Sequence, residues 1–549
     1  MDTSDKEEKD FRFTKDNHFF TIFIFPFKYF NHGEKEPVSP CKMANHFVAS
    51  GGGNVWEEKP FTVSDALEYN EWHYFYPYVR SMLFKENQKE KEGIRYLRRK
   101  DYNEATKAEL LVQFYGSDQK IHSVKTDVNS VDLHLFDNQI GLLSITTECG
   151  NTDYGMEDFL RYNDTARRVY PPFLGEAENK AESIGKTSAP KENNILPYSV
   201  TLLAPGKAPV EERFPDLQLP DKKLYLSRVV RDLLSPIMFN DGTEIPKEEY
   251  AYDSFTDDRM FIVSYYRNDV LGSGLSKYCC GQYSYENSNE WYSMIFVEGN
   301  PKDVTIKNDP MKRELLHKHS YARWADKGTL YGMSRYSLVF VGRNGWFEQN
   351  MLYTHMKSMY YQMALIILFQ RAMLVKFSEE IKNLTKYFTS GQSDREFRAK
   401  ADQLHGNFIK FTNEYWYTEV TPQEQGIEMY RQWMDLVGHD YLYAKVKGEI
   451  SELATHVRTM IEHESNQNIE LITKMGLPLS VVIAVMTVWL AIYGERHVPD
   501  LLPYIVHLRI DPWQVILSVI FAISGAISLF QLGKFICRYV TLWFRKSRT

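Results

Sequence analysis

A few residue groups in this chain have the types and spacing that chemistry can use. Arg167 and Arg168 stand together, with Arg161 upstream and Pro171-Pro172 just after. Paired arginines can fork onto phosphate oxygens through their fixed N–H donors. Arg228, Arg231 and Asp232 lie on a predicted helix and would complete such a site. Arg167, Arg168, Arg231 and Asp232 are therefore the candidate ligand-binding set, against the plain reading of solvated surface charge. His317 and His319 form an HxH pair among Lys312, Arg313 and Lys318. A metal needs further ligands, so this reads as a solvated basic face. Gly272-Ser273-Gly274 lacks the third glycine of a dinucleotide loop, and His463-Glu464 lacks the second histidine of a zinc-protease helix. Without a nucleophile beside a base, the chain is not expected to be an enzyme, and any metal site stays unassigned.

The elements that must carry these groups divide sharply along the chain. Met475 to Gly494 and Pro512 to Gly533 are two uncharged stretches. Each suffices to cross about 30 Å of hydrocarbon as a helix. Two buried core helices are the competing reading. Their closeness, with one short loop between, favours a transmembrane hairpin. Lys534, Arg538, Arg545, Lys546 and Arg548 follow the second stretch without acidic partners. The loop between the stretches mixes Arg496 and Arg509 with Glu495, Asp500 and Asp511. The excess of basic residues places the tail in the cytoplasm, and two spans place the large N-terminal region there too. The acidic opening MDTSDKEEKD is unlike a secretory signal. The lipid bilayer is thus an expected partner.

Thr473, Gly476, Ser480, Ala484, Thr487, Ala491 and Glu495 recur at helical spacing, with Gly494 at the end of the stretch. A small or polar stripe of this kind is either a close-packing seam or the lining of a water-filled pore. Its polar continuation beyond the apolar stretch, through Asn466 and Glu470, favours the pore.

Upstream, Thr421-Pro422-Gln423-Glu424 predicts a helix start, with threonine as cap and glutamate closing a capping box. If continuous to Gly494, that helix would run about 110 Å at 1.5 Å per residue. Gly426, Gly438 and Gly448 are the places where it would break. Phe347 to Phe388 is predicted to be a packed helix rather than a third span, because Gln370 and Arg371 interrupt its apolar run.

The N-terminal part mixes strands and helices. Strands are predicted at Phe19–Phe25, ending at Pro26, and at Met260–Tyr266, Trp291–Val297 and Tyr336–Val341. Val131, Leu133 and Leu135 alternate before a turn at Asp137-Asn138 and a return strand over 141–145. Leu224–Leu234 reads as a helix. Residues 31–68 read as a long loop and 171–200 as a polar insertion. Composition is ordinary for a folded protein, at 43% hydrophobic and 25% charged. The net charge of -7 carries no basic block that would suggest nucleic acid. The five cysteines fit no zinc or disulfide spacing. The expected division is a cytoplasmic α/β region at 1–345, a helical stalk at 346–474, a first span at 475–494, an external loop at 495–512, a second span at 513–533 and a basic tail at 534–549.

Ala491-Ile492-Tyr493-Gly494, followed by a short loop with Val498-Pro499-Asp500, resembles the CorA family of two-span metal-ion transporters, as does the layout over about residues 345–549. The resemblance implies a cytoplasmic α/β domain, a long stalk helix entering the first span, and a homopentamer whose first spans line a pore. It also implies a plasma-membrane location in a bacterium and a divalent cation such as magnesium, cobalt or nickel as cargo. The family's Gly-Met-Asn signature survives only as Gly494, with Glu495 and Arg496 at the pore mouth. Arginine offers donors and positive charge where a hydrated cation needs oxygen acceptors. A subgroup of CorA-like proteins accompanying type III CRISPR systems is similar in its lost signature and enlarged cytoplasmic region. Membership would imply an antiviral membrane effector opened by a nucleotide messenger, such as the adenylate conjugate of S-adenosylmethionine (SAM-AMP), with Arg167 and Arg168 as phosphate contacts. A membrane-anchored enzyme is the remaining alternative.

Overall fold

Residues 17–31, 33, 37–50, 55–84, 94–116, 118, 120–150, 153–169, 197–214, 225–242, 249–255, 259–389 and 394–497 are described by the structure, a computed structural model. The expected second span, the basic tail and most of the external loop lie outside them. The chain divides into two units, Met1–Ile450 and Ser451–Thr549.

The strands of the first unit are β1 (His18–Asn31), β2 (Trp56–Glu58), β3 (Arg95–Asn103), β4 (Glu109–Tyr115), β5 (Ile121–Phe136), β6 (Ile140–Cys149), β7 (Pro197–Leu203) and β8 (Val210–Arg213), then β9 (Met238–Phe239), β10 (Tyr250–Ser254), β11 (Phe261–Arg267), β12 (Tyr278–Cys279), β13 (Gln282–Tyr283), β14 (Ser320–Tyr321), β15 (Leu330–Met333) and β16 (Ser337–Gly342). The helices are α1 (Pro40–Ser50), α2 (Ala66–Tyr74), α3 (Pro77–Leu83), α4 (Met156–Ala166), α5 (Arg228–Leu234), α6 (Asp269–Leu275), α7 (Asn289–Phe296), α8 (Asp309–His319), α9 (Tyr353–Lys357), α10 (Met359–Thr389), α11 (Asp394–Glu414), α12 (Glu424–Val437) and α13 (His439–His497).

Fourteen strands form one mixed sheet, with the path β14-β15-β16-β11-β1-β6-β5-β4-β7-β8. Among the described residues, only β11–β16 and β9–β10 pair in parallel. β1 sits near the middle and is buried on both faces, which is why its sequence is apolar almost throughout. Phe19 and Phe23 meet α4 through Phe159 and Tyr162, while Phe20 stacks on Tyr265 and meets Tyr353 of α9 on the other side. The strand does not end at Pro26, as the sequence suggested. Residues 18–24 pair with β11 and 27–31 with β10, so the proline falls where the partner changes and its missing N–H breaks no rung on that side.

The expected hairpin over 131–145 is present as β5 and β6, joined at Asp137–Gln139. Alternation puts Val131, Leu133 and Leu135 into the core shared with Trp56 and Leu97. Ser130, Asp132 and His134 therefore point to the opposite face, where α9 and α10 lie.

Several expectations are corrected. Residues 289–296 are a helix, not a strand. Ser288 accepts from the Trp291 N–H at 3.1 Å and Val297 closes the helix in the left-handed region, so a cap and a stop outweigh the β-rich composition. The predicted loop over 31–68 contains α1 and β2. Ser39 precedes Pro40, and Met43, Ala44 and Phe47 are buried at helical spacing. Of the predicted insertion, 197–200 belong to β7, and the residues before them lie outside the described ones. The helix read over Leu224–Leu234 begins at Arg228. The helix read from Phe347 is a π-turn at Glu348–Leu352, then α9, an irregular Ser358 and α10.

The helix expected to start at Thr421 starts at Glu424 instead. Thr421 donates its hydroxyl to the Tyr74 carbonyl and accepts only from Gln423 N–H, so it anchors a turn rather than a capping box. The break falls at Gly438, at φ 69°, a left-handed residue that closes α12 before α13 begins. α13 then runs 59 residues, about 90 Å, and its helical backbone passes through Glu495 and Arg496 to His497. Among the described residues, two helical stretches are long and apolar enough to cross a membrane by length and composition. In Glu348–Lys386, 72% of the apolar window is buried in the body, as expected of a packed helix. In His439–Thr487 none of it is.

Candidate functional site

The arginines singled out by sequence are bound into the body. Arg167 is 0% exposed and donates to the Val297 carbonyl at 3.0 Å, with Asp164 3.7 Å away. Arg168 pairs with Asp164 at 3.2 Å and Arg161 with Glu157 at 3.0 Å. The start of α5 adjoins this segment, because the Ser227 N–H donates to the Val169 carbonyl at 2.7 Å. Yet Arg231 is exposed beside the Tyr225 ring, and Asp232 offers its carbonyl to Arg99. The two segments are neighbours, but no bond between their candidate side chains is seen. His317 is exposed, His319 is held by the Met333 carbonyl, and no group of three metal-ligating side chains occurs among the described residues.

In the second unit, Thr473, Gly476, Ser480, Ala484 and Thr487 are all exposed on α13. So are Ile472, Leu479, Val481 and Ile483, at 53–70%. Of Ala491, Gly494, Glu495 and Arg496 only the helical backbone is described. An isolated helix cannot keep such a surface in water, so it requires lipid or protein neighbours.

A polar cavity of about 370 Å³ lies within the first unit. Its floor is the second face of the sheet. Register places Tyr96 opposite His134 and Arg98 opposite Asp132 on β3 and β5, and Asp132 opposite Ser144 on β6. Its roof is the segment from Lys59 through Glu71, and one end is closed by Lys357, Tyr361 and Gln362. Asp132 collects the floor into one network. It accepts from Arg98 Nε at 2.6 Å, Tyr96 OH at 2.8 Å and Ser130 Oγ at 2.6 Å. The carboxylate beside Arg98 raises the guanidinium's already high pKa further, although burial opposes this, so the cation is fixed.

At the closed end, Glu148 accepts from Tyr353 OH at 2.6 Å, Lys357 Nζ at 2.5 Å and Asn129 Nδ2 at 2.5 Å, and bonds His18 at 2.8 Å. Burial works against its charge, but the bonds from His18 and Lys357 hold the carboxyl far below the usual range.

Two groups on the cavity wall are not compensated in this way. Glu71 accepts one hydrogen bond, from Gln362 Nε2 at 2.9 Å, and has no ion-pair partner among the described residues. Burial pushes its carboxyl up to about 7, and nearby Glu68 adds to this. His134 is 8% exposed, stacks on Tyr96 with centroids 4.8 Å apart, and its Nδ1 has no hydrogen-bond partner. Burial pushes this imidazole down to about 4, so it is neutral at pH 7.

A second cavity, of about 590 Å³, is lined by Trp324, Arg343, Phe347 and His355 along the π-turn. Both polar atoms of its Asn344 amide are buried without a partner. Sequence reasoning found neither cavity. The only signal for the first was the polar half of the alternating strand, Ser130, Asp132 and His134. Compared with protein-family models, with curated proteins and with solved structures, the chain finds no match.

Proposed function

We propose that this chain is a CorA-like homo-oligomeric membrane pore, gated by its α/β body and conducting ions dissipatively, as a defence effector would. The observation that carries the reading is α13. It begins in the body at His439, whose Nε2 meets the Ile367 carbonyl at 3.0 Å, and continues without interruption into the apolar stretch. That stretch has no cover of its own, and its exposed residues include the small and polar stripe from Thr473 to Thr487. Packed around an axis, identical helices would bury the stripe against water and turn their apolar residues to lipid. A ligand that favours one arrangement of the body would shift the pore equilibrium by its differential affinity for that arrangement. Glu495 and Arg496, in place of the family's methionine and asparagine, favour leak over selective magnesium uptake.

The test is single-particle imaging of the full chain in detergent, followed by ion flux from liposomes. A ring of subunits, expected to be five, with flux of monovalent ions supports the proposal. Monomers or dimers leave no axis for the stripe to line and overturn it. Selective flux of magnesium, cobalt or nickel would instead make the chain a divalent-cation transporter.

A further inference from the structure

The charges around the first cavity do not cancel. On its walls Arg98 is neutralised by Asp132, and Lys357 by Glu148. At its mouth the exposed Lys59 stands against the half-buried Glu68 and the exposed Glu104. Glu71 remains, half-buried and facing a cavity with no cation of its own among the described residues. An anion placed there would meet two carboxylates without compensation. A cation would supply the partner that Glu71 lacks.

A second observation points the same way. His134 is more than nine-tenths buried and lines the cavity; its Nδ1 is sealed away from the cavity, and its Nε2 has no hydrogen bond either among the described residues. A polar ring left so costs stability unless something pairs with its reachable nitrogen. A neutral imidazole nitrogen can accept a hydrogen bond, and the N–H groups of a protonated amine are donors only. The remaining lining suits the carbon part of such a molecule. Phe61 and Phe84 lie 4.3 Å apart, with Tyr96 and Tyr361 alongside, and aromatic faces attract ammonium groups.

We propose that the cavity beneath α2 binds a small protonated amine, with Glu71 as its counter-ion, His134 as hydrogen-bond acceptor and the surrounding rings as its apolar walls. The site does not depend on whether the chain assembles into a pore. Binding draws Glu71 into its ionised form and releases a proton, so affinity rises with pH toward about 8 and then levels. The other charged groups around the cavity are Arg98, Asp132, Lys59, Lys357, Glu68 and Glu104, and the buried His134 is neutral across that window.

The test is calorimetric titration of the full chain in detergent with butylamine and with 1-butanol, its uncharged near-isostere. Saturable binding of butylamine, at least about tenfold tighter than 1-butanol at pH 8, is expected. Glu71→Gln keeps the shape and the Gln362 contact and should erase the difference. His134→Phe should weaken butylamine but leave tetramethylammonium, which has no hydrogen-bond donor, nearly unchanged. Equal binding of amine and alcohol, or equal amine binding by wild type and Glu71→Gln, overturns the proposal. Thermal melting confirms in each case that the variant is folded.

Discussion

Replacing Glu71 with glutamine should make the body more stable at pH 8 and leave it almost unchanged at pH 4. The unfolded chain gives up this proton near the ordinary value of 4.5, and the folded chain keeps it up to about 7. Between those values the folded state holds more protons, so wild-type stability falls as pH rises through the window. A glutamine has no proton to lose, so the variant is level across it. Displacement from 4.5 to about 7 amounts to roughly 3 kcal/mol at about 1.4 kcal/mol per pH unit. The carboxyl is half-buried and faces an open cavity, so solvent screening reduces this to about 1–2 kcal/mol. The assay is urea denaturation of wild type and Glu71→Gln in parallel at pH 4, 6 and 8, with amide exchange in Ala66–Tyr74 as a local reporter. The gap should open between pH 5 and 8. Parallel profiles, or a variant less stable at pH 8, would refute the reasoning, because Glu71 would then be either solvated or paired.

Asp132→Ala should cost about 3 kcal/mol in a denaturation midpoint, because Arg98 is left without its partner and Tyr96 and Ser130 lose an acceptor. The double variant Arg98→Met with Asp132→Leu should recover most of that loss. Gly438→Ala should cost about 1 kcal/mol, since φ 69° is strained for a side chain, and Gly438→Asn should cost less. Glu148 contributes stability above its ordinary 4.5 that is lost as pH falls below it, because its bonded carboxyl resists protonation. Wild type should therefore lose more stability than Glu148→Gln between pH 5 and 3 in acid-titration melts.

The sequence made the elements legible where one force decided them. Period-2 alternation over Val131–Leu135 and the apolar run of β1 each had a single explanation, and both formed. Where two signals competed, the local one was decisive. Trp291–Val297 has strand-like composition, but Ser288 caps it into a helix. The cavity was hardly legible. Glu71 sits in ALEYNEWHY, which has no clear periodicity, and its partner Gln362 is 291 residues away. The polar face of β5 would ordinarily meet water. It became a cavity wall because α9 and α10, arriving much later in the chain, cover the same face of the sheet. The burial of Arg167 was not legible for the converse reason, since sequence cannot distinguish a guanidinium on the surface from one at 0% exposure.

The central place of β1 sets an order on folding during synthesis. It is the first described strand to leave the ribosome, yet its neighbours on one side are β6 and on the other β10 and β11, ending at Arg267. β11 itself waits for β16 at 337–342. β5 and β6 can close as a local hairpin and offer an edge to β1, but the far edge of β1 stays open while more than a hundred further residues are made. For that interval Phe19 to Phe27, the most apolar ribbon of the body, is half covered. Such late, non-local pairing slows folding and exposes surface prone to aggregation. In a nascent chain of this design that edge closes only once β11 and β16 have been made, and a pause in translation between β6 and β11 prolongs the interval.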